Sequence, residues 1–495
     1  MRNYAGVFVI AACALCWVPD KSAAAEETSK SKALPPIPLS LNEVHAWIDR
    51  SHPLLKGAGT EKTSARGKML KALGAFEPVL VNDTEIERFI DKGTTKTQSV
   101  GFNDTLVEAR TPWGFRGSAG VRQSIGDAKI PDLAFGNGQQ VILGGFLPLL
   151  KGLMINPEHA ELQRSELADP RAEVKISQTR QDLFLAAATQ FWDWVSAAKF
   201  VDVQRRALGV AEERLRQVEG RAKAGAVAPL DVVEAGQEVQ RRREVAIAAQ
   251  RAVEQEQYKM SMFLWENQAP TTPQLERVPD FPPPAAPPTA DIVKADKLQA
   301  KTDRPEIREV DIEAKVNNID LELAKNNLLP SLDLEAAPAR APEKFVLGLG
   351  YRFGAELRIP ILQRRSRGEV MEAQAQADRL VLVQKYREQQ VVVDVDNALS
   401  AIERAKERVA AATESLRMAK TLEEGERFRF SLGATSVLFV NLRERNSVDS
   451  EMQLVRAKAD YQKALALYQW ATGSWARSQP SAVPVNYRVG ASFAK

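Results

Sequence analysis

The sequence has 495 residues, 44% of them hydrophobic and 26% charged, with a formal net charge of +3. Acids accompany the bases throughout and no Lys/Arg cluster is interleaved with aromatics, so the chain carries no footprint for nucleic acid. Typical domain sizes would divide this length into about three domains, but a tandem duplication, set out below, points to one elongated fold of two similar halves.

The first residues read as a targeting segment. Arg2 is the charged start, Tyr4 to Trp17 is an apolar run, and Ser22-Ala23-Ala24-Ala25 offers a small-residue cleavage site before Glu26. The run is too short to anchor the chain across a bilayer, so residues 1–25 are expected to be a signal peptide. Ile10-Ala11-Ala12-Cys13 resembles a lipoprotein processing site, an alternative that leaves an unusually short leader. Both cysteines, Cys13 and Cys16, fall inside the leader. Cleavage after Ala25 then leaves no thiol for a disulfide, a metal or a nucleophile. No stretch of 18 apolar residues follows, which excludes an inner-membrane pump built of helices. It leaves room for a membrane β-barrel, whose strands are short and alternating.

Residues 26–38 are polar, then proline-rich, and are expected to be extended. A helix opens after Ser40, with Glu43 three residues on, as in a capping box. Between Pro78 and Pro148 the composition shifts to Gly, Thr, Asn and aromatics, with strand-like Val79–Val81, Val100–Phe102, Gly120–Arg122 and Val141–Leu143 among turns. Long helices are expected over about 157–222 and 229–265. Trp194, Val201, Leu208 and Leu215 recur at heptad spacing, which implies coiled-coil packing. Pro270 to Pro288 contains eight prolines and marks an extended connector, the linker 266–296.

The second half repeats the plan. Leu332, Leu334 and Ala336 alternate with Ser331, Asp333 and Glu335. Tyr351, Phe353, Ala355, Leu357 and Ile359 alternate with Arg352, Glu356 and Arg358. A sheet packed on a soluble core would show this alternation too. About two long strands per half make about four per chain, too few to close a barrel. An open sheet in lipid would leave backbone groups unpaired, so a membrane barrel requires several chains. Helices follow over about 364–430 and 436–472, with Leu454, Tyr461 and Tyr468 at the heptad interval. A helix of such length spans on the order of 100 Å, far more than a globular core needs.

The halves are tied together by two turns at a constant offset of 208 residues. Arg221, Gly225, Ala226, Leu230 and Val232 correspond to Arg429, Gly433, Ala434, Leu438 and Val440. Each set reads as the turn of a long helical hairpin, with glycine supplying the backbone freedom. Pro53 and Pro78 are separated by the same 25 residues as Pro305 and Pro330. The chain therefore divides into a first repeat, 39–265, with a β region at 78–148, and a second repeat, 297–473, with a β region at 330–360. A polar tail follows at 474–495. The first β region is the longer, so the first half carries an insertion there.

No enzyme is legible. His45, His52 and His159 lack the spacing of a helical metal pair and read as solvated side chains. No phosphate loop, dinucleotide fingerprint or nucleophile elbow occurs. Glu and Asp on the helices read as solvated faces and i, i+4 partners of Lys and Arg. No cofactor is expected.

With the leader, the duplicated helix–strand–helix plan and the two Arg-x-x-x-Gly turns in place, the chain resembles the TolC-type outer-membrane efflux channel family. The segments Arg429-Phe-Ser-Leu-Gly-Ala-Thr-Ser-Val-Leu438 and Gln453–Tyr461, the latter followed by Ala464–Leu467, carry the likeness most closely, and it extends over about 39–473. The resemblance implies a homotrimer in which four strands per chain build one twelve-stranded barrel in outer-membrane lipid, while the helices form a periplasmic tunnel. It implies a passive exit duct serving a periplasmic adaptor and an inner-membrane pump, in efflux or type I secretion. It places adaptor docking and opening at the tip turns, on Arg221, Gly225, Ala226, Leu230, Arg429, Gly433, Ala434 and Leu438. Asp231 is the candidate entrance acid, although Phe439 stands at its counterpart position. A periplasmic adaptor or a structural coiled coil are the competing readings. An adaptor normally has a single hairpin without the duplication, and a structural coiled coil would lack membrane strands.

Overall fold

The computed structural model describes residues 37–90, 97–125, 139–338 and 351–477. The expected leader, its cleavage sites and most of the 474–495 tail lie outside the described residues. The first half runs α1 (Leu41–Ser51), α2 (Pro53–Leu73), β1 (Val79–Ile90), β2 (Thr97–Arg110), β3 (Arg116–Ile125), β4 (Gln139–Pro148), α3 (Pro157–Glu166), α4 (Ala168–Lys223) and α5 (Pro229–Ser261). After the short β5 (Trp265–Glu266) and β6 (Ala269–Pro270) come α6 (Ala290–Asp303), α7 (Pro305–Asn326), β7 (Ser331–Pro338), β8 (Tyr351–Arg358), α8 (Arg364–Ser431), α9 (Val437–Ala471) and α10 (Ser474–Arg477).

The duplication reaches single backbone angles. Ser40 caps α1 by accepting the Glu43 amide at 3.1 Å. The α1–α2 bend falls at His52 (φ −64°, ψ 125°) and the α6–α7 bend at Arg304 (φ −63°, ψ 127°). Each precedes a proline, which excludes the helical region for the residue before it and then starts the next helix at no hydrogen-bond cost. Both side chains tie their bend to the end of the returning helix of their own half. The His52 Nε2 lies 3.1 Å from the Met262 carbonyl, and Arg304 donates to the Ala471 carbonyl at 3.3 Å.

The helical stretch expected from residue 157 is broken at Leu167, between α3 and α4. Pro170 explains the break: it has no N–H, and its ring clashes with the carbonyl four residues back. The α4–α5 and α8–α9 pairs form long antiparallel hairpins, with α4 also packed on α9 and α7 on α8. Trp194, Phe191 and Val195 of α4 are buried with Val44, Ile48, Met260 and Leu264. Ile402, Val409 and Tyr461 form the seam between α8 and α9. The proline-rich connector runs against these helices, with the Phe281 ring stacked on Trp192 at 5.7 Å and the Tyr461 hydroxyl donating to the Ala285 carbonyl at 3.2 Å.

Two histidines read as solvated are buried instead. His52 is enclosed at its bend, and His45 is 9% exposed, stacked on Phe184 at 4.1 Å and edge-on to Trp475. Alternation alone did not mark His45, although Val44 and Ile48 beside it define the buried stripe. Burial lowers its pKa from 6.5 to about 4. The folded state therefore holds His45 neutral, while the unfolded chain takes up a proton below about pH 6.5. Stability is fully present above that pH, falls by about 3 kcal/mol as pH drops to 4, and then levels. Thermal unfolding of His45→Gln compared with the parent across pH 7 to 4 checks this. The variant loses that component of the slope, and an unchanged slope excludes His45 as its source.

Among the described residues, six of the strands form one antiparallel sheet in the order β1-β2-β3-β4-β7-β8, and β5 and β6 pair separately. The sheet has six strands where the alternation suggested about four, because the 78–148 region supplies two hairpins instead of one. Val107, Ala119 and Leu143 fall on one face by register, as do Leu334, Ala336 and Phe353 farther along the sheet. From β3 to β8 this face is mostly apolar and exposed, with Phe353 at 80%, while its β1–β2 part also carries Asn82, Thr84, Asn103 and Thr105. The other face carries Asp104, Arg122, Arg116 and Glu335, with Arg122 donating two hydrogen bonds to Asp104 at 2.7 and 2.5 Å. No described helix is long and apolar enough to cross a membrane.

Candidate functional site

The two repeated turns lie at the far end of the long helices from the sheet. After α4 the chain passes through Gly225, and after α8 through Gly433, both at φ +71°. Only glycine takes this left-handed conformation without strain. In each turn the Ala after the Gly donates its N–H to the carbonyl of the repeated Arg: Ala226 to Arg221 and Ala434 to Arg429, both at 2.9 Å. The shared residues thus close the same backbone ring twice. A side chain at either glycine meets no atom within 4 Å, so the penalty for alanine is conformational only. Gly225→Ala and Gly433→Ala are each expected to destabilise their turn by about 1–2 kcal/mol without a clash. Hydrogen exchange at Ala226 and Ala434 should rise about tenfold or more, while exchange in the Trp194 core stays unchanged. Unchanged exchange at the turn amides would contradict the assignment.

The side chains do not share the backbone's symmetry. Arg221 reaches across to α8, donating to the Phe430 carbonyl at 3.2 Å and the Ser431 carbonyl at 3.1 Å, with its guanidinium 5.0 Å from the Phe430 ring centre. It satisfies carbonyls that a helix C-terminus leaves open, and its charge suits that end of the helix dipole. Arg429 instead turns back to Glu426 at 3.4 Å. Val437 is buried against Val218 and Ala235, whereas its counterpart Pro229 is exposed. Asp231 accepts the Ala228 N–H at 3.1 Å and so caps the start of α5. Leu230 (74% exposed), Leu438, Phe439 and Leu432 stand open to solvent and make the end of the molecule apolar.

A buried ionic network sits a few helical turns above this apolar end. Glu444 of α9 pairs with Arg214 of α4, which also approaches Asn441 at 3.4 Å, and with Arg427 of α8 at 2.8 Å. Beside it, Glu238 of α5 accepts from Arg445 of α9 at 2.5 Å, from Arg241 at 2.6 Å and from Arg242 at 2.9 Å. Burial alone would raise the Glu238 carboxyl, but the hydrogen bonds from Arg241 and Arg445 and the nearby positive charges prevail and hold it at about 2. Reading charged residues as solvated faces missed these groups. The usable signal was their place on the seam: Val437, Val440, Asn441, Glu444 and Ser447 are buried at helical spacing, as are Ala235, Glu238, Val239 and Arg242. The network is not duplicated, since Gly236 and Asn446 stand opposite Glu444 and Glu238 at the repeat offset. A groove of about 950 Å³ runs beside it between α4 and α8, lined by Gly209, Glu213, Gly220, Arg221 and Phe430. No cluster of acids and histidines that could hold a metal occurs among the described residues.

Long helical hairpins, a membrane-type sheet at one end and paired apolar turns at the other define a channel-type architecture. Residues 298–473 match the model of the family described as outer membrane efflux protein. Nodulation protein T of Rhizobium leguminosarum bv. trifolii is 27% identical over 177 residues, which cover 34% of this chain and 38% of that relative. The match therefore spans well under half the length of the curated relative. Among solved structures, the CmeC outer membrane channel of Campylobacter jejuni superposes with a TM-score of 0.64 at 14% identity, over 89% of this chain and 87% of that one. The outer membrane protein VceC of Vibrio cholerae gives 0.63 at 13%, over 88% and 96%. The resemblance to TolC-type channels and the mainly helical fold class with membrane-type strands are borne out by these matches.

Proposed function

We propose that this chain is an outer-membrane channel subunit of a tripartite efflux or type I secretion system. Three copies share one barrel in the outer membrane, and their helices line a passive duct through the periplasm. The observation that carries the reading is the pairing of two backbone-identical turns at one end of the helices with an apolar-faced, open sheet at the other. The family match over residues 298–473 and the fold shared with solved outer-membrane channels support it.

In this reading the exposed Leu230, Leu438 and Phe439 receive a periplasmic adaptor, and an inner-membrane pump loads the duct. Arg221, Gly225, Ala226, Arg429, Gly433 and Ala434 shape the surface. The Glu444 and Glu238 networks join the first-repeat hairpin to the second and hold the tip contracted until docking favours another arrangement. The chain itself performs no chemistry. A photo-crosslinking residue at position 230 or 438 in living cells tests the docking role. A crosslink to a coiled-coil periplasmic protein supports it, and crosslinks confined to unrelated proteins count against it.

A further inference from the structure

We infer that the β1–β2 hairpin is part of the barrel wall, so that each subunit contributes six strands and neighbouring subunits join through β8 of one copy and β1 of the next. The inference rests on the channel reading and concerns its width. The pairing leaves no other junction. β3 has both edges occupied, by β2 from Arg110↔Arg116 to Gly101↔Ile125 and by β4 from Arg116↔Phe146 to Gln123↔Gln139. A neighbour's β8 therefore cannot add to β3, as a four-strand subunit would require. β1 pairs with β2 over its whole length, Val79↔Glu108 to Ile90↔Thr97, which leaves the outer edges of β1 and β8 as the ends of the sheet.

Local chemistry fits a hairpin built into the wall. A Cβ at Gly101 would lie 2.2 Å from the Glu85 carbonyl oxygen, and one at Gly120 would lie 2.0 Å from that of Thr105. Glycine thus permits close strand approach at both new junctions. On the apolar face, the polar side chains of the hairpin bond one another: Asn82 donates to Thr105 at 2.8 Å and Asn103 to Thr84 at 2.5 Å. On the opposite face, Asp104 of β2 is held by Arg122 of β3, a charged pair suited to a wet interior and misplaced against lipid. An even number of alternating strands per chain also lets β8 meet the next β1 antiparallel, so the ring closes without a parallel seam. In lipid both edges must be paired, and another copy of this chain supplies the matching edge.

Three subunits then enclose about eighteen strands, and since diameter grows roughly linearly with strand number, the barrel is about 1.5 times as wide as a twelve-stranded one. Such a barrel lets bulky solutes pass, so the helical end alone limits what leaves. Paired cysteines in a background with Cys13 and Cys16 replaced by alanine test the junction. Cysteine at Ala355 or Leu357 is combined with cysteine at Leu80, Asn82 or Thr84 of β1, or at Ala119 or Val121 of β3, followed by oxidation of native membranes. Disulfide-linked ladders ending at the trimer for β8–β1 pairs, with none for β8–β3 pairs, are expected. Trimer ladders through β8–β3 overturn the six-strand wall while leaving the channel standing. A protein that is monomeric in native-mass measurements and forms no linked species overturns the channel reading itself.

Discussion

Glu444→Ala is expected to leave the channel standing open. The substitution strands Arg214, which is nearly as buried as Glu444, with Asn441 as its remaining nearby partner, and removes the Arg427 contact as well. Removing one member of a buried ion pair costs about 3–5 kcal/mol, because the other charge stays desolvated. The cost falls on the junction of α4, α8 and α9, and separation of the hairpins rehydrates Arg214. Cells carrying the variant should admit a bulky hydrophilic antibiotic that the parent excludes, with purified channels showing a raised resting conductance in planar bilayers. The double change Arg214→Met with Glu444→Leu controls for general damage, since replacing a buried pair by apolar side chains of similar volume is often nearly neutral. It should return the channel towards the closed state. Raised conductance of equal size in both would mean that bulk packing, and not charge, holds the tip. No change in either would remove the network from the gate.

Leu230→Asp combined with Leu438→Asp is expected to abolish export while leaving the assembly intact. Both leucines are exposed at the second position of a helix that follows a tip turn, so the folded chain tolerates a carboxylate there. A partner that covers them must desolvate that carboxylate. Truncating a buried apolar anchor at an interface costs about 2 kcal/mol or more, and a buried unpaired charge costs more again. Adaptor capture should fall by about a hundredfold or more, with export reduced to the level of a strain lacking the gene. Leu298→Asp, at an exposed leucine of α6 remote from the turns, should export normally. Loss of export in the Leu298 variant, or full export in the double variant, would count against docking at the tip.

Much of this architecture is legible because its devices are local. The glycines at 225 and 433 announce turns, since few other residues accept φ near +71°. The prolines at 53 and 305 announce bends because each keeps the residue before it out of the helical region, and Pro170 separates α3 from α4 through a missing N–H and a crowded carbonyl. Heptads around Trp194 and Tyr461 declare long packed helices. What stayed hidden depends on packing partners distant in sequence. Glu444 and Glu238 look like any solvated glutamate until Val437, Val440, Ala235 and Val239 are seen to set their seam. Arg221 and Arg429 match in sequence yet act differently, because a neighbouring helix end lies within reach of the first. The extra hairpin was visible as four strand-like segments between Pro78 and Pro148. The count of about two long strands per half passes over this hairpin, because pairing between strands leaves no local mark beyond glycines such as Gly101 and Gly120.

The central claim, that three copies make one membrane channel, is tested most directly by the native mass of the protein extracted from membranes. A detergent-dependent trimer in the outer-membrane fraction, conducting ions when placed in a bilayer, is the result predicted here. A periplasmic monomer or dimer that stays soluble without detergent would contradict it, and the apolar sheet face would then need a different cover.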